Sequence, residues 1–347
     1  MQRHINTWII VLSMKMDEII TLDYGSGGKK TSRLIETMIL PRMDNSFLAE
    51  LGDGAILPGE SELVFSTDSF VVDPLFFPGG DIGELSVYGT VNDIAVCGGE
   101  PKFLSCALIL EEGLETAVLE KVLASMSAAA GRAGVSIVTG DTKVVEKGRG
   151  DKLYVNTAGI GFLRVRGLTP RAIRNGDAVI LSGTAGDHGT AVMLARSGMM
   201  QGNLKSDCAP LNRLCEAVFR TGAKVRVLRD PTRGGIATTL NEFIEGSPLG
   251  IAIEEKAVPV RDEVKAACEL LGLDPLYCAN EGKLLCVAAQ KDAPLVLEAM
   301  HRLPEGQEAA LIGTVTDTCP GRVVMKTSFG GNRVLQKLAG AQLPRIC

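Results

Sequence analysis

Hydrophobic residues recur along the chain in short runs that polar turns interrupt, and the pattern divides the sequence into two halves. In the first half, alternating or continuous apolar runs typical of strands cover 62–72, 105–110, 136–138 and 153–163. Helical stretches cover 82–95 and 114–133. This half is therefore predicted to form a sheet with helices on one side.

The pattern restarts after two turn signals, Thr169-Pro170 and Asn175-Gly176-Asp177. Strands are predicted at 178–182, 224–228, 250–254, 284–288, 310–315 and 322–326, and helices at 190–196, 235–244, 261–271 and 293–302. We expect an α/β (α+β) fold with a strand-rich first domain over 17–168 and an α/β second domain over 169–339. A mobile tail is expected at 340–347.

Residues 1–16 are interpreted as an N-terminal extension. Their one apolar patch, 8–12, is too short to span a membrane, and no small-residue cleavage site follows it. Met14 or Met16 is an alternative start of the functional protein.

Composition narrows the class of protein. Hydrophobic residues make up 46% of the chain but aromatic residues only 4%, so the cores are expected to be aliphatic, as in many α/β enzymes. A net charge of -5 without a basic run argues against nucleic-acid binding. Nine irregularly spaced cysteines without a signal peptide indicate reduced thiols in the cytoplasm. The three histidines lack zinc-ligand spacing.

A glycine-rich turn, Asp23-Tyr24-Gly25-Ser26-Gly27-Gly28-Lys29-Lys30-Thr31, precedes a predicted amphipathic helix. Such a turn lets backbone N–H groups converge on a phosphate at a helix start. The spacing does not satisfy the P-loop motif, because Lys30 follows Gly28-Lys29 where Ser or Thr is required. A tight turn and a mobile phosphate flap both remain open.

Aspartates recur at predicted strand ends or turns, in the segments GDGA, STDS, VDP, VNDI, TGDTK and RDPTRGG. They are Asp53, Asp68, Asp73, Asp93, Asp141 and Asp230. Mg²⁺ is commonly held by a few carboxylates together with nucleotide phosphates, so loops of both halves are candidates for one nucleotide site. Taken singly, an aspartate in a turn is more often a turn or helix cap. Asp93 differs, because inside an apolar helical run its carboxylate must be paired or liganded.

The chain ends on Cys347, carried by the arm 340–347, in which Gly340 and Pro344 discourage a helix. Fully extended, this arm reaches roughly 26 Å. A frayed terminus that happens to end on cysteine is the plain alternative.

The order GDGAI, STDSF, VNDIAVCGG, VTGDTKVV, RDPTRGGIA, ANEGKL and PRIC resembles the HypE class of nickel-iron hydrogenase maturation proteins. That class lies within the PurM-like superfamily of aminoimidazole ribonucleotide synthetase and selenophosphate synthetase. The similarity runs from about Gly25 to Cys347. It implies a two-domain PurM-like subunit, a homodimer, and ATP bound with Mg²⁺ in a cleft.

The resemblance also implies site residues. The expected metal ligands are Asp53, Asp93 and Asp230. The nucleotide is expected to contact Lys29, Thr67, Asp68, Asn92, Asp93, Gly140, Asp141 and Thr142.

The implied reaction is the ATP-dependent dehydration of a carbamoyl group on Cys347 to a thiocyanate, the cyanide donor for the hydrogenase iron. Lys143 and Glu281 match the family positions for proton transfer and charge relay. The implied partners are the carbamoyltransferase HypF and the HypC–HypD iron-carrying complex, and nothing indicates nucleic acid or a membrane. Without the family context, Lys143 is a solvated strand-end lysine and Glu281 a turn residue.

Two other classes remain as alternatives. A different ATP-using PurM-like enzyme is disfavoured, because 25–30 lacks the cysteine expected of selenophosphate synthetase, and the other members have no use for PRIC. A non-catalytic carrier with a docking cysteine would not need Lys143, Glu281 and the aspartates.

Overall fold

The computed structural model describes residues 17–25, 29–43, 45–48, 55, 57–198 and 203–338, with the side chain of Lys29 outside the description. The described residues form two large sheets, one in each half and each with its own helices, and a small two-stranded ribbon in the first half. None of the helices within the described ranges has the length and apolar character that crossing a membrane requires.

The first domain is built on a four-stranded sheet of order β1-β6-β4-β5. Its helices are α1 (Lys29–Leu34), α2 (Ile82–Val96) and α3 (Thr116–Ala133), and its strands are β1 (Leu63–Phe70), β2 (Phe76–Phe77), β3 (Gly80–Asp81), β4 (Gly99–Glu111), β5 (Ser136–Val145) and β6 (Leu153–Leu163). β2 and β3 form a separate two-stranded ribbon. The core lies between one face of the four-stranded sheet and helices α2 and α3.

The other face of this sheet, here called the open face, carries exposed apolar side chains. Phe65 is 67% exposed, Leu63 51% and Ile109 40%. Ile109 pairs with Tyr154 on β6 and with Lys143 on β5, so all three side chains lie on this face. Large contiguous apolar patches on a protein surface are a feature of interaction sites.

The second domain contains a seven-stranded sheet of order β13-β12-β9-β11-β7-β10-β8. Its strands are β7 (Ala178–Leu181), β8 (Val225–Arg229), β9 (Gly250–Glu254), β10 (Leu285–Ala288), β11 (Ala310–Thr316), β12 (Val323–Lys326) and β13 (Asn332–Leu335). Its helices are α4 (Asp187–Ser197), α5 (Asn212–Arg220), α6 (Gly235–Ile244), α7 (Asp262–Leu271) and α8 (Ala293–His301).

The central strands of this sheet are buried on both faces, which explains their continuous apolar sequences. Val179 and Leu181 on β7 pack in the core that contains α6. The alternating residues Ala178 and Ile180 pack in the core that contains α5 and α8. Buried Ala95 and Val96, at the end of α2, join this second core and attach the first domain to the second.

The structure differs from the sequence-based expectation at several elements. Asp68 lies inside β1 and Asp141 inside β5, neither at a strand end nor in a turn, because both strands extend beyond their most apolar residues. Helix α5 is absent from the sequence-based prediction, although its buried residues Leu214, Cys215 and Val218 recur at helical spacing. The predicted boundary between 168 and 169 lies in the connection from β6 to β7.

Candidate active site

An acidic cleft opens where the two domains meet. Asp68 on β1 and Asp93 on α2 come from the first domain, and Asp230 after β8 and Glu281 before β10 come from the second. We call these four residues the acidic cleft. The remaining lining residues are Phe70, Gly89, Thr232 and Arg233.

Asp93 faces this cleft from within a helix whose residues are mostly buried. Ser66 donates a hydrogen bond from Oγ to Oδ2 of Asp93, at 2.7 Å. Burial, and then the nearby charge of Asp68, raise the pKa of Asp93 in spite of that hydrogen bond. A cation placed beside Asp93 would therefore stabilise the charged form of its carboxylate.

Asp230 and Glu281 are more deeply buried, at 6% and 2% exposed. Burial, and then the charge of Asp93, raise the pKa of Asp230 to about 7. Burial, and then the charge of Asp230, raise the pKa of Glu281 well above its ordinary value. Oε1 of Glu281 has no hydrogen-bond partner among the described residues. A buried carboxyl with raised proton affinity and an unused oxygen is suited to accept a proton from a bound substrate.

The loop that carries Glu281 is fixed by backbone contacts. The Glu281 N–H donates to Oδ1 of Asp207 at 3.0 Å, and Oδ2 of Asp207 lies 4.0 Å from Nζ of Lys283. Asn280 donates its backbone N–H to the carbonyl of Pro231 at 3.0 Å, which joins this loop to the segment after Asp230. A Cβ on Gly282 would lie 1.7 Å from the Asp207 carbonyl oxygen, so only glycine fits there.

Asn92 is placed at the contact between the domains. Its Nδ2 donates to the carbonyls of Ala209 and Glu281, and its Oδ1 accepts from the Leu211 N–H at 2.7 Å. The side chain is fully buried. These bonds occupy its polar atoms with backbone groups of the second domain, so Asn92 positions Glu281 from the first domain. The contact with the nucleotide that the sequence predicts for Asn92 stays a prediction.

The remaining residues expected at the nucleotide lie on strands of the first sheet. Gly140, Asp141 and Thr142 lie on β5 beside an apolar pocket between the α1 segment and β4, lined in part by Ile35 and Leu108. A Cβ on Gly140 would lie 2.3 Å from the carbonyl of Cys106 on β4, which explains the glycine.

Lys143 does not lie beside Glu281 within one chain. β5 and β1 are the two edge strands of the first sheet. Three strand spacings of about 4.8 Å separate them, or roughly 14 Å from β5 to the Asp68 side of the acidic cleft. Thr67 donates to the carbonyl of Thr157 at 3.1 Å and, like Lys143, lies on the open face.

Three expected site residues lie outside the described parts: Asp53, Cys347 and the side chain of Lys29. Among the described residues, no three His, Cys, Asp or Glu side chains come close enough together to hold a metal ion by themselves. Asp93 and Asp230 nevertheless line one cleft, and each has a raised pKa. Two carboxylates and the oxygens of a phosphate fit the ligand preference of Mg²⁺.

Sequence reasoning missed three contributors to this site. Ser66 stands in the STDSF motif and supports Asp93. Arg233 stands in RDPTRGG and reaches across to Asp68, with 3.7 Å between Nη2 and Oδ1. Asp207 carries no motif, and only the folded chain shows that it holds the Glu281 backbone.

The fold and this site define a two-domain protein of the AIR synthase class. The family described as "AIR synthase related protein, N-terminal domain" matches residues 51–163, and the corresponding C-terminal domain family matches 174–326.

More specific relatives share nearly the whole chain. Carbamoyl dehydratase HypE of Cupriavidus necator is 48% identical over 332 residues, covering 94% of this chain and 95% of that protein. The crystal structure of a hydrogenase maturation protein HypE in complex with ATP superimposes with a TM-score of 0.91 at 49% identity, covering 94% of this chain and 99% of that one. A HypE chain from a HypE–HypF complex gives a TM-score of 0.77 at 45% identity, covering 88% and 99%. The chain belongs to the HypE family of carbamoyl dehydratases.

Proposed function

We propose that this protein is an ATP-dependent carbamoyl dehydratase of nickel-iron hydrogenase maturation that acts on its own Cys347. An S-carbamoyl group on that thiol would be converted to S-cyano, the source of a cyanide ligand for the hydrogenase iron. The observation that carries the proposal is Glu281, a buried carboxyl with an unpartnered oxygen at the edge of an acidic cleft.

The chemistry explains why the site needs both a nucleotide and a base. The carbamoyl oxygen is a poor leaving group until the γ-phosphoryl of ATP is transferred to it. The C–O bond then breaks, the oxygen leaves with the phosphate, and the nitrogen loses two protons as the C≡N bond forms. ATP becomes ADP and inorganic phosphate.

We assign Glu281 to proton abstraction. The cause of its raised pKa, burial next to Asp230, makes its carboxylate a stronger base than an exposed glutamate. Asn92 and Asp207 hold its backbone on two sides. Lys143 is assigned to charge stabilisation or relay near the departing phosphate.

We assign nucleotide binding to Lys29, Thr67, Asp68, Asp93 and the segment Gly140–Thr142. Mg²⁺ held by Asp53, Asp93 and Asp230 would supply neutralisation of phosphate charge. These assignments are supported by the match to the family motifs and by the raised pKa values of Asp93 and Asp230 in one cleft. A relative in this family has been crystallised with ATP.

We also propose a homodimer in which the open faces of the two first domains pack together. The exposed apolar residues Leu63, Phe65 and Ile109 provide the surface. Closing two four-stranded sheets on each other would bring β5 of one subunit beside β1 of the other. Lys143 and Asp141 of each subunit would then complete the site of its partner, which accounts for their distance from Glu281 within one chain.

The proposed carbamoyl donor is a HypF carbamoyltransferase, in keeping with the HypE–HypF complex of a relative, and the proposed acceptor is the HypC–HypD complex. A cytoplasmic location accords with the free thiols of all eight described cysteines.

Intact-mass spectrometry tests the function in two stages. Incubation with HypF and its carbamoyl donor is expected to add one carbamoyl group, and ATP added after removal of HypF should then remove one water. Peptide mapping should place both changes on Cys347. The variant Cys347→Ala should stay unmodified, whereas the control Cys319→Ala should behave as the unaltered protein.

The variant Glu281→Gln should accept the carbamoyl group and stop there, because it cannot take the proton. Loss of water at the normal rate in this variant would refute the role of Glu281. A protein that never acquires the carbamoyl group would favour the alternative, a non-catalytic carrier.

A further inference from the structure

Two buried thiols face each other in the second domain, and neither of them lines the acidic cleft. Sγ of Cys268, on α7, lies 3.9 Å from Sγ of Cys278, which follows the turn Pro275–Tyr277. Cys268 is 2% exposed and Cys278 fully buried. Both belong to a small apolar cluster with Ala191, Leu194 and Val264. We propose that Cys268 and Cys278 form a reversible intrachain disulfide that ties α7 to the loop carrying Glu281.

The geometry permits the bond with a local movement. A disulfide needs the two sulfurs about 2.05 Å apart, so they must approach by roughly 1.9 Å, which rotation of the two side chains and a small shift of the turn can supply. The chain between them is a short reversal, in which Gly272 ends α7 in the left-handed conformation and the Leu273 N–H bonds to the Cys268 carbonyl at 2.8 Å. The two thiols therefore lie on neighbouring elements that this short reversal joins.

The two thiols would react one after the other, Cys268 before Cys278. Cys268 lines a surface cleft whose walls include Val260, Leu273, Leu276 and Met325, whereas Cys278 does not line it. Hydrogen bonding with Cys278, and then with Thr190, lowers the pKa of Cys268 despite its burial. A small oxidant such as hydrogen peroxide would thus meet the Cys268 thiolate first and Cys278 would resolve it.

The step balances with hydrogen peroxide as the two-electron oxidant. The Cys268 thiolate attacks one peroxide oxygen and the O–O bond breaks, which gives Cys268 sulfenic acid and hydroxide. The hydroxide takes up the proton that the Cys268 thiol had released and becomes the first water. The Cys278 sulfur then attacks the sulfenic sulfur, the S–S bond forms, and the second oxygen leaves as water. In sum, two thiols and one peroxide give one disulfide and two waters.

The bond would reach the candidate active site through the backbone. Nδ2 of Asn280 donates to the Cys278 carbonyl at 3.2 Å, and Oδ1 of Asn280 accepts from the Gly186 N–H at 2.7 Å. Glu281 is the next residue. A shift of Cys278 toward α7 therefore acts on the segment that positions Glu281, although the disulfide itself does not depend on the proposed reaction.

Peptide mapping of the full chain tests the proposal directly. Trypsin cleavage after Lys265 and Lys283 leaves both thiols on a single peptide. The protein is treated with hydrogen peroxide, denatured in excess alkylating agent and digested. The peptide is expected to be lighter by two hydrogens than its reduced form and to carry no alkyl group, and reductant before alkylation should restore two alkyl sites.

Variants sharpen the test. In Cys268→Ala the same peptide should carry one alkyl group on Cys278 after the same oxidation, because the accessible thiol is gone. The control Cys215→Ala, a buried thiol in the other core of this domain, should still form the bond. Exposed Cys97 reports whether the oxidant acted. If Cys97 is oxidised while Cys268 and Cys278 both remain alkylatable, or if Cys268 ends as a sulfinic acid beside an alkylated Cys278, the proposal is overturned.

Discussion

Among single residues, the buried carboxylate Asp187 at the start of α4 offers a clear test of electrostatics in this fold. Its side chain is 2% exposed, and Nε of Arg261 lies 3.2 Å from Oδ2. Burial is the main cause that raises the pKa of Asp187 from 3.8 to about 6, in spite of the hydrogen bond from Thr184, while Asp207 adds to the rise and Arg261 and Lys283 oppose it.

A raised pKa in the folded state means that the native protein binds more protons than the unfolded chain between those two values. The free energy of unfolding should therefore fall as the pH rises through that window, by up to about 3 kcal/mol from this group. Asp187→Asn should lose this part of the pH dependence in urea unfolding at several pH values. Asp262→Asn, with its side chain 95% exposed, should keep it. Equal pH profiles for Asp187→Asn and the unaltered protein would contradict this assignment.

The carboxylates that line the acidic cleft could be singled out from the sequence because Asp68, Asp93 and Asp230 stand in recognisable motifs, as does Glu281. The sequence did not show that Asn92 bonds to the backbone of the second domain, since an amide in a helix gives no sign of such a partner. Asp207 could not be found, because its role rests on a contact with Glu281, 74 residues away.

At the level of elements, a glycine-to-alanine change should lower stability where two loops approach closely, as at Gly282, and raise it within an exposed helix. In Gly282→Ala the new Cβ would meet the Asp207 carbonyl, and the loop must move at a cost of about 2 to 3 kcal/mol. Gly131→Ala is the matched control, because Gly131 lies in α3 with no atom within 4 Å of an added Cβ. That change should raise stability by about 0.5 to 1 kcal/mol. Thermal unfolding of both variants tests this prediction. Similar shifts of the melting temperature in the two variants would refute the steric explanation.

Strand and helix positions were largely predictable because apolar runs here coincide with buried elements. The strand predicted at 153–163 matches β6, and the helix predicted at 235–244 matches α6. Predictions were less accurate where polar residues continue a strand, as at Gly140–Lys143 of β5. Pairing with β4 keeps those residues extended, and no local pattern encodes that pairing.

For the whole molecule, the proposed dimer predicts that two inactive variants recover activity when their subunits are mixed. If each site combines Glu281 of one subunit with Lys143 of the other, a mixed dimer of Lys143→Ala and Glu281→Gln contains one site with both natural residues. Random mixing of the two inactive variants should then restore about a quarter of the normal rate of water loss from carbamoylated protein.

A site built within one chain would give no recovery, because every subunit then carries one defect. Phe65→Asp in both chains serves as the control, since it should prevent association in light scattering and abolish the recovery. Recovery without association would contradict the shared site.

The contacts of Asn92 and of the end of α2 with the second domain limit how the protein can evolve. The carbonyl of Glu281 in the second domain accepts a hydrogen bond from a helix of the first, and buried Ala95 and Val96 would face water if the domains were separated. Neither half can thus be exchanged for a foreign domain of the same fold unless the partner surface is exchanged with it. The acidic cleft is inherited as one unit, although two independent sheets build it.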